Sequence, residues 1–169
     1  MIDDLRVLGG SPRRVTGTRT MLSGRYVLTL ERSAERGVRR EVSGYQPVMD
    51  GFPGELGARE ERAEDGHARL VFDAEERHLN QAGTLHGGVL ATLVDAAMGR
   101  AARSNTEDGQ VPATTQLTLA FLSAGRRGRM TVDAQVRKQG DQVLLCDADV
   151  EQDGRTLVHA VATFAVLQP

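Results

Sequence analysis

The sequence predicts an α+β fold in which a curled antiparallel sheet wraps one long central helix, and three observations carry that prediction. From Leu85 to Ala102 the apolar residues cover every side of a helix-length segment, and after His86 its only charged side chains are Asp95 and Arg100. A helix apolar all round is one enclosed by other structure. The segment is a poor membrane span, because about 18 residues broken by glycines and two charges fall short of the roughly 20 largely uncharged residues that a bilayer requires. After it come strand-like runs separated by glycine-containing turns, and these supply the sheet that covers a single buried helix most economically.

The elements follow in chain order. Residues 1–51 contain Gly9-Gly10-Ser11-Pro12, Arg/Glu-rich stretches and Gln46-Pro47, with one strand-like run at Arg25–Leu30, and read as an N-terminal extension of uncertain order. The domain proper spans residues 52–169. Phe52–Gly57 reads as a short helix or turn, and the stretch Glu60–Asp73 contains the alternating Ala68–Phe72 expected of a strand. The helix ends in the polar loop Ser104–Gln110. Four strands are then expected at Gln116–Leu122, Arg129–Lys138, Val143–Val150 and Thr156–Leu167. In the second of these Met130, Val132, Ala134 and Val136 point one way and Thr131, Asp133, Gln135 and Arg137 the other, giving one dry and one wet face. Asp153-Gly154 is a strong hairpin signal. Short connections predict antiparallel neighbours, hence a four-strand meander or a near relative of one.

Composition narrows the function. A chain of 169 residues makes one domain with a sizeable core. A net charge of -2 argues against a nucleic-acid surface, although Arg32–Arg40 is locally basic. The start Met1-Ile-Asp-Asp-Leu-Arg6 lacks the pattern of a secretory signal, and the lone Cys146 excludes an internal disulfide, so the expected compartment is the cytoplasm. His67, His78, His86 and His159 have no paired ligand spacing, and no metal site is expected. Cys146 reads as a small buried hydrophobe.

Asp95 is the residue that asks for a reason. An isolated carboxylate in an apolar helix is costly, so it either pairs with a cation such as Arg100 or does chemistry. The helix opens on His86-Gly87-Gly88, where glycines let backbones, or a ligand, come close. His86 itself can be a helix cap or a catalyst.

These residues resemble a known family, the hotdog-fold acyl-CoA thioesterases of the phenylacetate-degradation (PaaI-like) type, over roughly residues 52–167. The carrying pieces are Asn80 six residues before His86-Gly87-Gly88, Asp95 nine after His86, Phe121-Leu-Ser-Ala-Gly125, Val136-Arg-Lys-Gln-Gly140, and Gly154-Arg-Thr-Leu-Val158 with Thr163-Phe164. The resemblance implies hydrolysis of a thioester, which requires a polarised carbonyl, an activated water or a nucleophile, and a place for charge to develop on oxygen. Free N–H groups at a helix start serve the first and the third, so Gly87 or its neighbour Gly88 is the expected oxyanion donor. Asp95 then acts as general base or direct nucleophile.

Spacing adds a constraint. Gly87 and Asp95 are eight residues apart, about 12 Å of helix rise and roughly 80° of rotation, too far to touch one carbonyl in the same chain. Two helices packed antiparallel would bring the Gly87 of one near the Asp95 of the other. The family builds its sites this way, so an obligate homodimer is implied, and its dimers commonly pair into a homotetramer.

By the same resemblance Asn80 orients the thioester or the water, His86 shapes the start of the helix and assists, and Thr114 positions the water, with Thr115 an equally fair reading. Gly99 stands where some relatives carry Thr or Ser, leaving more acyl space or one fewer hydroxyl. Gly88, Gly99 and Gly140 are grouped with the substrate-binding residues. Arg126, Arg127, Arg129, Arg137 and Lys138 lie at strand ends where coenzyme A phosphate can be held, or else form a solvated hairpin end. No cofactor is implied, the CoA being part of the substrate. Two competing functions share the fold: a non-hydrolytic acyl-CoA binding or sensing protein, which has no need of the carboxylate, and an enoyl hydratase, whose His with Asp or Glu motif is not visible.

Overall fold

The computed structural model describes the backbone of residues 16–22 and 25–31, and residues 48–168. The chain divides into two compact units, Met1–Tyr45 and Gln46–Pro169. In the first, β1 (Thr16–Leu22) and β2 (Arg25–Glu31) pair antiparallel, with Leu22 opposite Arg25. The strand-like run at Arg25–Leu30 is therefore a strand. What the sequence suggests for the remainder of residues 1–47, the basic Arg32–Arg40 included, lies outside the described residues.

The second unit contains α1 (Gly51–Leu56), β3 (Arg59–Glu64), β4 (His67–Ala74), a 3-10 turn (Glu76–His78), α2 (Gly87–Ser104), β5 (Val111–Phe121), β6 (Gly128–Gln139), β7 (Val143–Gln152) and β8 (Arg155–Leu167). Its six strands form one sheet, antiparallel throughout, in the order β3-β4-β6-β7-β8-β5. One helix packed on an antiparallel sheet is the α+β architecture that the sequence predicts. Among the described residues no helix is long and apolar enough to cross a membrane.

Two details of the strand plan differ from expectation. The stretch Glu60–Asp73 is a hairpin, not a single strand, turning at Asp65-Gly66 with both residues at positive φ (49° and 74°). Asp153-Gly154 turns the same way (51° and 74°), the backbone that matches strand twist in a two-residue hairpin. The four later strands are not a simple meander either. β6, β7 and β8 follow one another, but β5 lies beyond β8 at the sheet edge. Its short connection to β6 crosses the strand ends instead of turning back. The N–H groups of Leu122 and Ser123 donate to the Leu157 carbonyl of β8, and the Gln152 side chain of β7 clamps the Arg126 backbone through its N–H and carbonyl at 3.0 and 2.9 Å. A short connection thus joins strands that are not neighbours.

The core is the stripe Leu90, Leu93, Val94, Ala97, Met98, Ala101 and Ala102 of α2, set against Leu70 and Phe72 of β4, Met130 and Val132 of β6, Leu144, Cys146 and Val150 of β7, and Val158, Ala162 and Phe164 of β8. Cys146 is fully buried, and burial pushes its thiol up to about 12, which leaves it a packing residue. The helix is not enclosed on every side, contrary to what its apolar pattern predicts. α2 buries one stripe at i, i+3, i+4 spacing, while Val89, Thr92, Asp95, Ala96 and Gly99 remain half-covered. The sheet of one chain curls over only one side of the helix.

Candidate active site

The start of α2 is held by a chain of hydrogen bonds that begins at Asn80. Its Oδ1 accepts from the N–H groups of Ala82 (2.9 Å) and Thr84 (3.2 Å), and its Nδ2 donates to the Thr84 hydroxyl (2.9 Å). The amide thus builds the 80–84 turn, a use the resemblance did not imply for it. The turn leads to His86, whose N–H donates to the His78 carbonyl (2.9 Å) and whose Nδ1 accepts from the Gly88 N–H (2.9 Å), capping the helix. His86 is exposed, and because Nδ1 accepts, the proton of the neutral ring sits on Nε2.

This cap separates two glycines that the sequence left as alternatives. The Gly88 N–H is occupied by His86, whereas the Gly87 N–H has no partner among the described residues. A cleft of about 380 Å³ opens beside it, lined by Thr84, Leu85, Gly87, Leu90, and residues 121 to 125 from Phe121 to Gly125. The Phe121 ring lies so close that a Cβ on residue 87 would come within 3.3 Å of it. Phe121 and Leu122 are large, apolar and exposed. They were legible only as part of the Phe121–Gly125 motif, without a role.

Asp95 sits two turns further along α2, half-buried. Its Oδ1 accepts from the Thr114 hydroxyl of β5 at 2.8 Å. Thr115 points elsewhere, its hydroxyl donating to the Thr163 carbonyl at 3.0 Å. Arg100 is not the partner of Asp95, since its guanidinium pairs with Glu60 of β3. Gly99, one turn beyond Asp95, would bring a Cβ no closer than 3.8 Å to Phe164, so nothing in the fold of one chain demands glycine there.

The basic residues do not converge within one chain. Arg126 follows the cleft, whereas Arg137, Lys138 and Gly140 lie at the far end of β6, on the order of 30 Å away at strand rise. Arg137 is paired with Asp147 at 2.6 Å, Arg127 with Glu76 at 3.1 Å, and the Gly140 N–H closes the β6–β7 turn on the Val143 carbonyl. Arg126 and Lys138 carry no ion pair among the described residues, which also contain no cluster of three or more side chains able to hold a metal ion. One chain therefore presents two separate pieces, an unfilled N–H beside a cleft and a hydroxyl-bonded carboxylate.

Comparison with known proteins gives these pieces a context. The family model described as the Thioesterase superfamily matches residues 82–159, a span that holds both. A putative esterase from Pseudomonas aeruginosa is 30% identical over 127 residues, covering 72% of this chain and 93% of that protein. Among solved structures, the PaaI protein of the E. coli phenylacetic acid degradation operon superposes with a TM-score of 0.63 at 28% identity, over 67% of this chain and 81% of that one. A hypothetical thioesterase protein from Streptococcus pneumoniae, solved with coenzyme A, gives 0.63 at 27% identity over 73% and 97%. By its sequence, its helix-on-sheet fold and these relatives, the chain belongs to the hotdog-fold thioesterase superfamily.

Proposed function

We propose that the chain hydrolyses acyl-CoA thioesters to the free acid and CoA, at a site that two copies build together. The observation that carries this reading is the pairing, on one helix, of the unfilled Gly87 N–H with the Thr114-bonded carboxylate of Asp95 about 12 Å further on. Antiparallel packing of two α2 helices through their half-covered faces brings one piece from each copy to a common point. Coenzyme A in the similar S. pneumoniae protein supports the substrate class.

In this reading the thioester carbonyl accepts from the Gly87 N–H of one copy. Asp95 of the second copy takes a proton from a water that the Thr114 hydroxyl helps to hold, and the water oxygen attacks the carbonyl carbon. The developing oxyanion rests on the helix N-terminus, where backbone donors and the helix dipole favour negative charge. Collapse breaks the C–S bond, and the proton held by Asp95 passes to the departing CoA sulfur. Asp95, Thr114 and the backbone carry the steps, with no further cofactor. The same packing sets Arg126 of one copy toward the Lys138 end of the other, where the two flank the CoA phosphates.

The sheet edges favour the dimer. β3, at one edge, reads Arg-Glu-Glu-Arg-Ala-Glu, the charged sequence by which natural sheets repel further strands. β5, at the other, is 11 residues long and has no charged side chain. Beyond Pro112 and the irregularity between Thr114 and Gln116, its regular run from Gln116 to Phe121 is an edge open to pairing. A tetramer of two such dimers belongs to the same proposal.

The test is free-thiol release from phenylacetyl-, hydroxybenzoyl-, short- and medium-chain acyl-CoAs by the wild type and by Asp95→Asn. Wild-type release that falls by about 10²-fold or more in the variant is the expected result. Saturable binding without release by the wild type would favour the acyl-CoA sensor instead.

A further inference from the structure

β5 alternates cleanly over its second half. Leu117, Leu119 and Phe121 stand opposite Ala162, Ala160 and Val158 of β8 on the face toward the helix, and Gln116, Thr118 and Ala120 stand opposite Thr163, Val161 and His159 on the outer face. Continued without interruption, that alternation would put Thr115 on the helix side and Thr114 outside. The ladder slips by one residue between Thr114 and Gln116, so that Thr114 pairs with the buried Phe164 while Gln116 pairs with Thr163. A bulge of one residue is what turns the Thr114 hydroxyl toward Asp95.

The extra residue is Thr115, and it is tied down twice. Its hydroxyl donates to the Thr163 carbonyl at 3.0 Å and lies 2.8 Å from the Thr163 hydroxyl, which donates in return. We propose that Thr163 is a positioning residue for thioester hydrolysis: with Thr115 it pins the bulge that aims Thr114 at Asp95. Thr163 is on the outer face of the sheet, touches none of the reacting atoms, and acts through the register of β5. This inference rests on the role assigned to Asp95 and Thr114 above.

The test uses Thr163→Val, which keeps shape and strand preference while removing the hydroxyl, with Thr163→Ser as the conservative partner and Thr114→Ala as the background. Expected is a loss of about tenfold in kcat with KM within about twofold for Thr163→Val, and recovery in Thr163→Ser. In the Thr114→Ala background the further loss disappears, because a residue that acts only through Thr114 has nothing left to position. A wild-type kcat in Thr163→Val, or the same factor lost in both backgrounds, overturns the proposal. If the wild type releases no thiol at all, the thioesterase reading fails on its own account. A crystal structure of the Thr115→Val/Thr163→Val variant then still decides, since a Thr114–Asp95 bond kept at its present length means that the pair does not hold the bulge.

Discussion

Gly87 is the first residue of α2, and its N–H is one of the donors that every helix leaves without an internal partner. It can be removed almost alone. Proline is favoured at the first helical position, where the missing N–H costs no helix bond, and it asks its predecessor for an extended backbone, which His86 has at φ -66° and ψ 130°. The added Cβ meets the Phe121 side chain at 3.3 Å, and that ring is exposed and can move. Gly87→Pro should therefore fold with an unchanged melting temperature and lose about 10²- to 10³-fold in kcat, the usual cost of one oxyanion donor. A variant that folds and keeps its turnover would move the oxyanion site away from residue 87. At this scale the sequence was informative about residue types and silent about partners. Asp95 stood out because a carboxylate in an apolar run is rare, but a string of letters does not show that Asn80 spends its amide on Ala82 and Thr84, or that His86 spends Nδ1 on Gly88. Those are contacts of loop geometry.

Local elements carry the site through their irregularities. The regular parts, the alternation of β6 and the Asp153-Gly154 turn, were legible because each is fixed by neighbours in sequence. The bulge at Thr115 and the crossing from β5 to β6 are set by partners on another strand, so no local pattern announces them. The 3-10 turn before the site is another such element. Its last residue, His78, is 3% exposed, packs its ring 4.8 Å from that of Phe72, and accepts the Glu75 N–H on Nδ1 (2.9 Å), while its Nε2 has no hydrogen-bond partner among the described residues. Burial, aided by Arg77, lowers its pKa from 6.5 against the opposing pull of Glu75 and the Leu56 carbonyl of α1. The unfolded chain then binds a proton more readily than the folded one. This contribution to stability is complete above about pH 6.5 and is lost as pH falls from there toward the lowered value. Denaturant unfolding between pH 7.5 and 5 should show a steeper acid loss for the wild type than for His78→Asn, which keeps an acceptor for Glu75 and does not titrate. Parallel curves would mean that the ring is free to protonate in place. Since the His78 carbonyl holds the His86 N–H, the turn also links this proton to the start of α2.

At the scale of the whole molecule, the half-covered helix and the uncharged edge strand describe one missing surface. α2 keeps Asp95 and Gly99 on a flank that its own sheet only half covers, and β5 keeps one side of its ladder unpaired. In the dimer proposed above a second copy meets both needs, and each copy gives Gly87 to one site and Asp95 to the other. That division has a consequence that a site within one chain does not share. Asp95→Asn and Gly87→Pro should each be nearly inactive as homodimers, having lost the same half of both sites. In a mixed dimer one site combines the intact Gly87 of the first chain with the intact Asp95 of the second, and the other site inherits both defects. Random pairing of equal amounts makes half the dimers mixed, each with one working site of two, so co-expression should restore about a quarter of wild-type thiol release per dimer. The measurement is made on heterodimers isolated through two different affinity tags, where the expected value rises to about half, because every dimer is then mixed. Isolated heterodimers no more active than either parent would mean that no site combines Gly87 of one chain with Asp95 of the other, and the shared site would go.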